Sequence, residues 1–167
     1  MVRSIETSGP VIIGFDHTPA SERAVHEAAV LLAPRPALVV VVWRAGLAFE
    51  AASTPALEAP AVADDISRAM AVDQTLHEAA QQLAQRGAAV AEAAGMPATG
   101  VAIPDDGTVA ETLIRVAHEH TAAAIAVGAH TRRGLRKMIL GSTAKELLDR
   151  APCPVIVVTA VDPGRDS

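Results

Sequence analysis

The sequence Leu38-Val39-Val40-Val41-Val42-Trp43 is a continuous apolar run in which polar and apolar residues do not alternate. A strand with one solvated face alternates, so this run predicts a strand buried on both faces of a parallel sheet. Parallel strands are joined by crossover connections, which are usually helices. The run therefore predicts an α/β fold.

The segment before this run predicts a strand that passes into a helix. Residues 10–15 form a short apolar run that ends at Asp16, and Thr18 and Pro19 follow as an N-cap and a proline at the first helical position. The helix is predicted to end before Pro34. Its apolar residues recur at intervals of three and four: Val25, Ala28, Ala29 and Leu32.

The segment after the run predicts a loop and then a long helix. Residues 44–63 are rich in Ala and Pro with little periodicity, which predicts a variable loop. Asp64 or Asp65 can then cap the helix, and Gly95 and Pro97 end it. The predicted buried stripe alternates steps of four and three: Leu76, Ala80, Leu83, Gly87, Val90 and Ala94.

The rest of the chain repeats the alternation of strand and helix. Residues 99–103 and 122–127 predict the third and fourth strands, and residues 155–158 predict the fifth. Between the third and fourth, Thr108 and Glu111 form a capping-box signature for another helix. The residues that this helix is predicted to bury are Val109, Leu113, Val116 and Ala117.

Helices on both faces of a parallel sheet predict a three-layer α/β/α sandwich. Right-handed crossovers bring the carboxyl ends of all strands to one edge, and ligands bind there, where the strand order reverses. Asp16 follows the first predicted strand, and residues 128–131 follow the fourth. The two loops converge if these strands are neighbours, which the residues themselves leave open.

The segment after the fourth strand has the features of a phosphate site. It reads Val127-Gly128-Ala129-His130-Thr131, and Gly141-Ser142 then predicts the start of the last helix. Unsatisfied amides and the dipole at a helix N-terminus attract an anion, and glycine lets the backbone approach it. Four cations lie between Gly128 and Gly141 in a chain of formal net charge −5: Arg132, Arg133, Arg136 and Lys137.

Each of these residues also has a simpler interpretation. Asp16 can be a solvated carboxylate at a helix start, and Gly128 and Gly141 can serve a turn and a helix start without any ligand. Ser142 can act as an N-cap, which is compatible with phosphate binding. His130, like His17, can be a solvated loop histidine rather than a general base.

Composition restricts the function classes. The 167 residues fit a single domain with flexible tails at residues 1–9 and 160–167, and no apolar run is long enough to cross a bilayer. Cys153 is the only cysteine, so no internal disulfide is expected and a cytoplasmic location is predicted. The acidic balance and the 2% aromatic content argue against nucleic-acid binding. The six histidines lack metal-ligand spacing, so no metal site is expected.

Three segments together resemble the universal stress protein family over nearly the whole chain: residues 11–16, residues 128–142 and residues 151–158. ATP-binding members of that family carry Gly-x2-Gly-x9-Gly followed by Ser or Thr, and here Gly128, Gly141 and Ser142 have the expected spacing. Thr131 stands where the middle glycine is expected. A negative φ at Thr131 would let its hydroxyl bond a phosphate or ribose oxygen, whereas a positive φ would strain a β-branched residue.

The resemblance implies a Rossmann-like sheet of five parallel strands in the order 3-2-1-4-5, similar to the adenine nucleotide alpha hydrolase fold. It implies an ATP site. A divalent cation, Mg2+, would accompany the triphosphate, with Asp16 or Ser142 near it. Asp16 would lie near the adenosine, the backbone of Val42 would meet the adenine, and the segment from Gly128 would bind ribose and phosphates. The candidate binding residues are Gly14, Asp16, Val42, Gly128, His130, Thr131, Arg132, Gly141, Ser142 and Thr143.

The resemblance also implies a homodimer that pairs through the last strand, whose edge residues are Val155, Ile156, Val157 and Val158. An open apolar edge is a physical reason for such pairing. The leading hypothesis is a homodimeric, ATP-binding regulatory module of the stress response without efficient catalysis. The alternative is a module that has lost nucleotide affinity through Thr131 and binds protein partners, and a slow ATPase is the third hypothesis.

Overall fold

The computed structural model describes residues 8–46, 61–105, 107–129 and 140–159. Strands and helices alternate along these residues, as predicted. In chain order they are β1 (Val11–Gly14), α1 (Pro19–Leu32), β2 (Ala37–Trp43), α2 (Ala61–Ala93), β3 (Ala98–Pro104), α3 (Val109–Glu119), β4 (Ala124–Ala129), α4 (Ser142–Arg150) and β5 (Val155–Thr159).

The five strands form one parallel sheet in the order β3-β2-β1-β4-β5. The predicted fold class and strand order are therefore confirmed. β1 and β4 are neighbours, with Gly14 opposite Val127 in the register. The strand order reverses at β1, so the loops after β1 and β4 meet at the carboxyl edge of the sheet.

The core lies on both faces of the sheet. On one face α1 and α2 pack over Val11, Ile13, Val39 and Val41, and on the other α3 and α4 pack over residues that include Ile12 and Val40. Neighbouring residues of β2 thus enter opposite halves of the core, as a strand covered on both faces requires. This explains why the run from residue 38 to 43 shows no alternation.

The boundaries of the fourth strand differ from the prediction. β4 covers Ala124–Ala129 rather than residues 122–127, so Gly128 lies within the strand and not in the loop after it. The extension pairs with the end of β5, where Gly128 lies opposite Val158 and Ala129 opposite Thr159. Backbone hydrogen bonds from a strand distant in sequence therefore override the tendency of glycine to end a strand.

The long helix begins earlier than predicted. Residues 61–63 were placed in the loop, and Asp64 or Asp65 at the cap, but all of them lie inside α2. The helix starts directly after Pro60 in the sequence, and Ala61 and Ala63 in its first turn are strong helix formers. In the predicted stripe Ala80 and Gly87 are buried, and Leu76 is 39% exposed. The remaining stripe residues are partly buried: Leu83, Val90 and Ala94.

Two further observations concern the edges of the fold. Val109 was predicted to be buried, yet it is 43% exposed because it is the first residue of α3 and lies at the rim of the sheet. The backbone N–H of Gly9 donates to Thr121 O at 3.1 Å, so the packed domain includes this residue of the predicted tail.

Over the described ranges, the helices are too short or too polar to span a membrane.

Candidate functional site

A cleft of about 270 Å³ opens at the carboxyl edge of the sheet, above the junction of β1 and β4. It is lined by residues of both strands, of β2, of α3 and of the start of α4. The candidate binding residues that line it are Gly14, Asp16, Val42, Gly128, Gly141, Ser142 and Thr143. The structure therefore brings together residues that are up to 129 positions apart in the chain (from 14 to 143).

The other predicted binding residues, His130, Thr131 and Arg132, lie outside the described residues. The same holds for the remaining cations of that segment, Arg133, Arg136 and Lys137, and for residues 47–60 of the predicted loop.

One end of the cleft is apolar. Val40 and Val42 project from β2, and Leu113 and Val109 from α3, into the same space. Val40 and Leu113 are at most 1% exposed, so this wall is fixed by the core, whereas Val109 stands partly free at the rim. Such a surface suits a flat apolar group, such as the face of an aromatic base.

The other end of the cleft is the N-terminus of α4. Gly141 is the N-cap residue with φ −61° and ψ 160°, and no side chain among the described residues caps this helix. The alternative interpretation of Ser142 as the N-cap is therefore wrong, because Ser142 is the first residue inside the helix. The first amides of α4 have no partner within the helix, and they point toward the cleft with the positive end of the helix dipole.

The helices α1 and α3 begin differently. Thr18 caps α1 by accepting from Ser21 N at 3.2 Å, and Thr108 caps α3 by accepting from Glu111 N at 3.0 Å. Both N-termini carry complete capping boxes. Of the helix starts that border the cleft in the described residues, α4 is thus the one that offers amides to an anion.

Asp16 lies at the mouth of the cleft with its carboxylate held in place. Its Oδ1 accepts from Thr18 Oγ1 at 2.6 Å and from Thr18 N at 3.1 Å. Ser21, which is only 3% exposed, lines the cleft beneath it and exchanges hydrogen bonds with the backbone of Thr18. Ser21 is not among the predicted site residues, although Thr18-x-x-Ser21 has the spacing of a capping box.

Two glycines of the cleft, Gly128 and Gly141, differ in how closely other atoms pack against them. A Cβ on Gly128 would lie 2.4 Å from the carbonyl carbon of Ala20, so this glycine is needed for packing against α1. Gly141 has an ordinary φ, and a Cβ there would meet no described atom within 4 Å. Among the described atoms, neither packing nor backbone angle requires a glycine at this N-cap position, and Gly141 lines the cleft.

The histidine at the loop after β1 pairs with a carboxylate. His17 has φ 60°, and its Nδ1 lies 3.2 Å from Glu22 Oε1; the two side chains are 58% and 45% exposed. Its ring packs edge-on against the ring of Phe15, with 6.1 Å between the ring centroids. His17 does not line the cleft, and within the described ranges no group of metal-ligating side chains is assembled.

Comparison with known proteins identifies the family. The sequence profile of the Universal stress protein family matches residues 8–159. The chain belongs to the universal stress protein family. The match includes both strands that border the cleft and the start of α4.

Solved structures agree with this fold. A universal stress protein from Archaeoglobus fulgidus is 20% identical with a TM-score of 0.63, covering 90% of this chain and 98% of that one. A universal stress protein from the same organism, in complex with dAMP, is 18% identical with a TM-score of 0.57, covering 90% and 97%. A further universal stress protein structure, in complex with cAMP, is 18% identical with a TM-score of 0.55, covering 90% of this chain and 96% of that one. At these identities the likeness shows the fold, and the bound nucleotides belong to those proteins.

Proposed function

We propose that this universal stress protein binds an adenine nucleotide, ATP, in the cleft and acts as a regulatory module rather than as an efficient enzyme. The observation that carries the proposal is the uncapped N-terminus of α4, which faces an apolar wall across one cleft. Related proteins of the same fold have been solved with dAMP and with cAMP. An anion site beside an apolar surface is what a nucleotide requires.

The base would lie at the apolar end. Val40, Val42 and Leu113 form its wall, and these side chains offer no hydrogen bond. Recognition of the polar edge of the base would therefore depend on backbone groups, such as those of Val42 at the end of β2. Burial of an aromatic face against this wall would supply the apolar part of the binding free energy.

The phosphates would lie at the start of α4. The backbone amides of residues 142–143 and the hydroxyls of Ser142 and Thr143 can donate to phosphate oxygens. The missing Cβ of Gly141 leaves room for close approach. The cationic segment between residues 132 and 137 precedes this helix in sequence and would add positive potential.

Mg2+ would enter with the triphosphate. Asp16 is the one carboxylate among the described residues that line the cleft, and its Oδ1 already accepts two hydrogen bonds from Thr18. Magnesium usually keeps several waters and is held by substrate phosphates with one or two carboxylates. The residues fit that arrangement, with Asp16 as the single protein ligand or as an acceptor for a metal-bound water.

A homodimer that pairs through β5, in the cytoplasm, completes the proposal. β5 is an edge strand, and Val155, Ile156 and Val157 are all partly buried. Pairing of two such edges would cover apolar side chains that are only partly buried in one chain. Partner proteins would then recognise the nucleotide-bound state through the surface loops around the cleft.

Calorimetric titration with ATP and Mg2+ tests the proposal. Gly141→Glu places a carboxylate at the phosphate end, and Gly141→Gln adds a neutral side chain of matched size. We expect saturable heat for the wild type and an affinity at least about tenfold lower for the Glu variant than for the Gln variant, since a like charge opposes phosphate. Adenosine, which has no phosphate, should bind both variants equally. Absence of saturable heat in the wild type would overturn the proposal.

A partner-binding module without nucleotide is the second candidate, and the replacement of the middle glycine by Thr131 favours it. Titration distinguishes the two. Thr131→Gly would restore binding if that replacement had removed it, whereas unchanged saturable binding in both proteins supports the nucleotide proposal.

A further inference from the structure

The two edges of the sheet present different surfaces to another chain. The strand order leaves β3 at one edge and β5 at the other. An edge strand carries a row of N–H and C=O groups that can pair with a further strand, so natural proteins block the edges that they do not use.

Alternate residues of β3 face away from the sheet. Pro97 O accepts from Ala37 N at 2.7 Å, so residue 97 and every second residue after it face β2. The backbone groups of four residues therefore point outward: Ala98, Gly100, Ala102 and Pro104.

The side chain of Gln81 occupies the middle of that edge. Its Nε2 donates to Gly100 O at 2.9 Å, and its Oε1 accepts from Ala102 N at 2.9 Å. A primary amide offers the same donor and acceptor as the peptide group of an adjacent strand. Pro104 has no N–H to offer, so the outward donor nearest the carboxyl end of β3 is missing as well.

Gly100 makes this arrangement possible. A Cβ on Gly100 would lie 2.3 Å from the backbone carbon and oxygen of Ala84, one turn beyond Gln81 in α2. The helix backbone thus rests directly on β3, which brings Gln81 within hydrogen-bond distance of the strand edge.

The edge at β5 has no such cover in the described residues. Pro154 O accepts from Ile125 N at 2.9 Å, so residues 154 and 156 face β4, while Val155, Val157 and Thr159 face away. All three outward residues retain their N–H groups. Across the described ranges, neither a side chain nor a backbone group outside the sheet bonds to them.

We propose that Gln81 is an edge guard, which closes β3 to strand pairing and limits assembly of this chain to two copies. Pairing of β5 with a second β5 is isologous and ends at a dimer, whereas pairing of β5 with β3 would be heterologous and could continue without limit. The inference rests on the proposed pairing through β5. Its specific content is the role of Gln81, which can be tested separately.

Gln81→Leu removes the amide while keeping similar volume, and Gln82→Leu, at the exposed neighbouring position, is the matched control. Analytical ultracentrifugation over a concentration series measures the mass distribution. We expect the wild type and the control to form nothing heavier than twice 17.2 kDa. The Gln81 variant should form heavier species whose fraction rises with concentration. Identical distributions for the two variants would overturn the proposal.

Amide hydrogen exchange at Ala102 provides a second measurement, for the Leu variant or for Gln81→Met should the Leu variant fail to fold. Loss of the hydrogen bond should speed exchange at Ala102 at least about tenfold relative to the Gln82→Leu control. Equal exchange would show that Gln81 does not protect this edge.

Val157→Pro tests the role of Gln81 at β3 independently of pairing through β5. It removes an outward N–H from β5 and leaves the bonds to β4 intact. Combined with Gln81→Leu, it should stop assembly at two copies paired through β3. A monomeric wild type would contradict pairing through β5, while heavier species in Gln81→Leu would still support the guard.

Discussion

Gly128 in β4 lies so close to the first turn of α1 that a Cβ atom on it would come within 2.5 Å of Ser21 N. The contact joins the strand that borders the cleft to the helix that follows Asp16. This contact therefore fixes the distance between the end of β4 and the loop that carries Asp16. The glycine that the family pattern assigns to a ligand is thus also required by the fold.

Gly128→Ala is expected to lower the free energy of unfolding by about 1 to 3 kcal/mol, because the helix backbone must move to admit the methyl group. Urea unfolding followed by the fluorescence of Trp43, the only tryptophan, measures the change. Gly141→Ser is the control, since it adds a Cβ in open space at an N-cap position that serine favours. Equal stability of the Ala variant and the wild type would show that the close approach is not required.

Thr108→Ala is expected to destabilise the protein by about 1 kcal/mol, because Thr108 accepts from Glu111 N and also donates to Glu146 in α4. Ser142→Ala should change stability by less than about 0.5 kcal/mol, since Ser142 makes no capping bond. Thermal unfolding of the two variants compares them. A larger loss for Ser142→Ala would contradict the assignment of Gly141 as the N-cap.

These caps show what sequence can and cannot predict. Thr108 and Glu111 are three residues apart, and their hydrogen bonds depend on local geometry alone, so the pattern predicted the start of α3 correctly. The end of β4 depends on Val158 and Thr159, which are about thirty residues away in the chain. No local pattern contains that pairing.

The candidate site, too, combines features that local sequence predicts with features that depend on residues far apart in the chain. The sequence predicted that Asp16 follows the first strand and Gly128 the fourth, and the resemblance supplied the strand order that makes these strands neighbours. The apolar wall was not predicted, because Val40 and Leu113 read as ordinary core residues. Only the sheet register and the position of α3 show that they also face the cleft.

Burial raises the pKa of the Cys153 thiol above its ordinary value of 9.0. Alkylation by iodoacetamide near neutral pH should therefore be slower in the folded protein than in urea, because the thiolate is the reactive form. Below the ordinary pKa both states keep the proton, so this group contributes no change in stability with pH. Above it the unfolded state loses its proton first, and stability should fall as pH rises. Cys153→Ala should remove that part of the fall, and an unchanged profile would contradict the shift.

Val109 was predicted to pack in the core, but its exposure at the rim of the cleft makes it a probe of nucleotide binding. Val109→Ala should change the free energy of unfolding by less than about 0.5 kcal/mol, as surface substitutions usually do. Loss of its apolar contact with a bound base should weaken ATP and adenosine binding by about 1 kcal/mol, or about fivefold. Leu148→Ala is the control, because Leu148 is 50% exposed and does not line the cleft. An equal loss of affinity for ATP and adenosine would indicate that the base contacts α3. Unchanged affinity for both ligands would show that the base does not contact this wall.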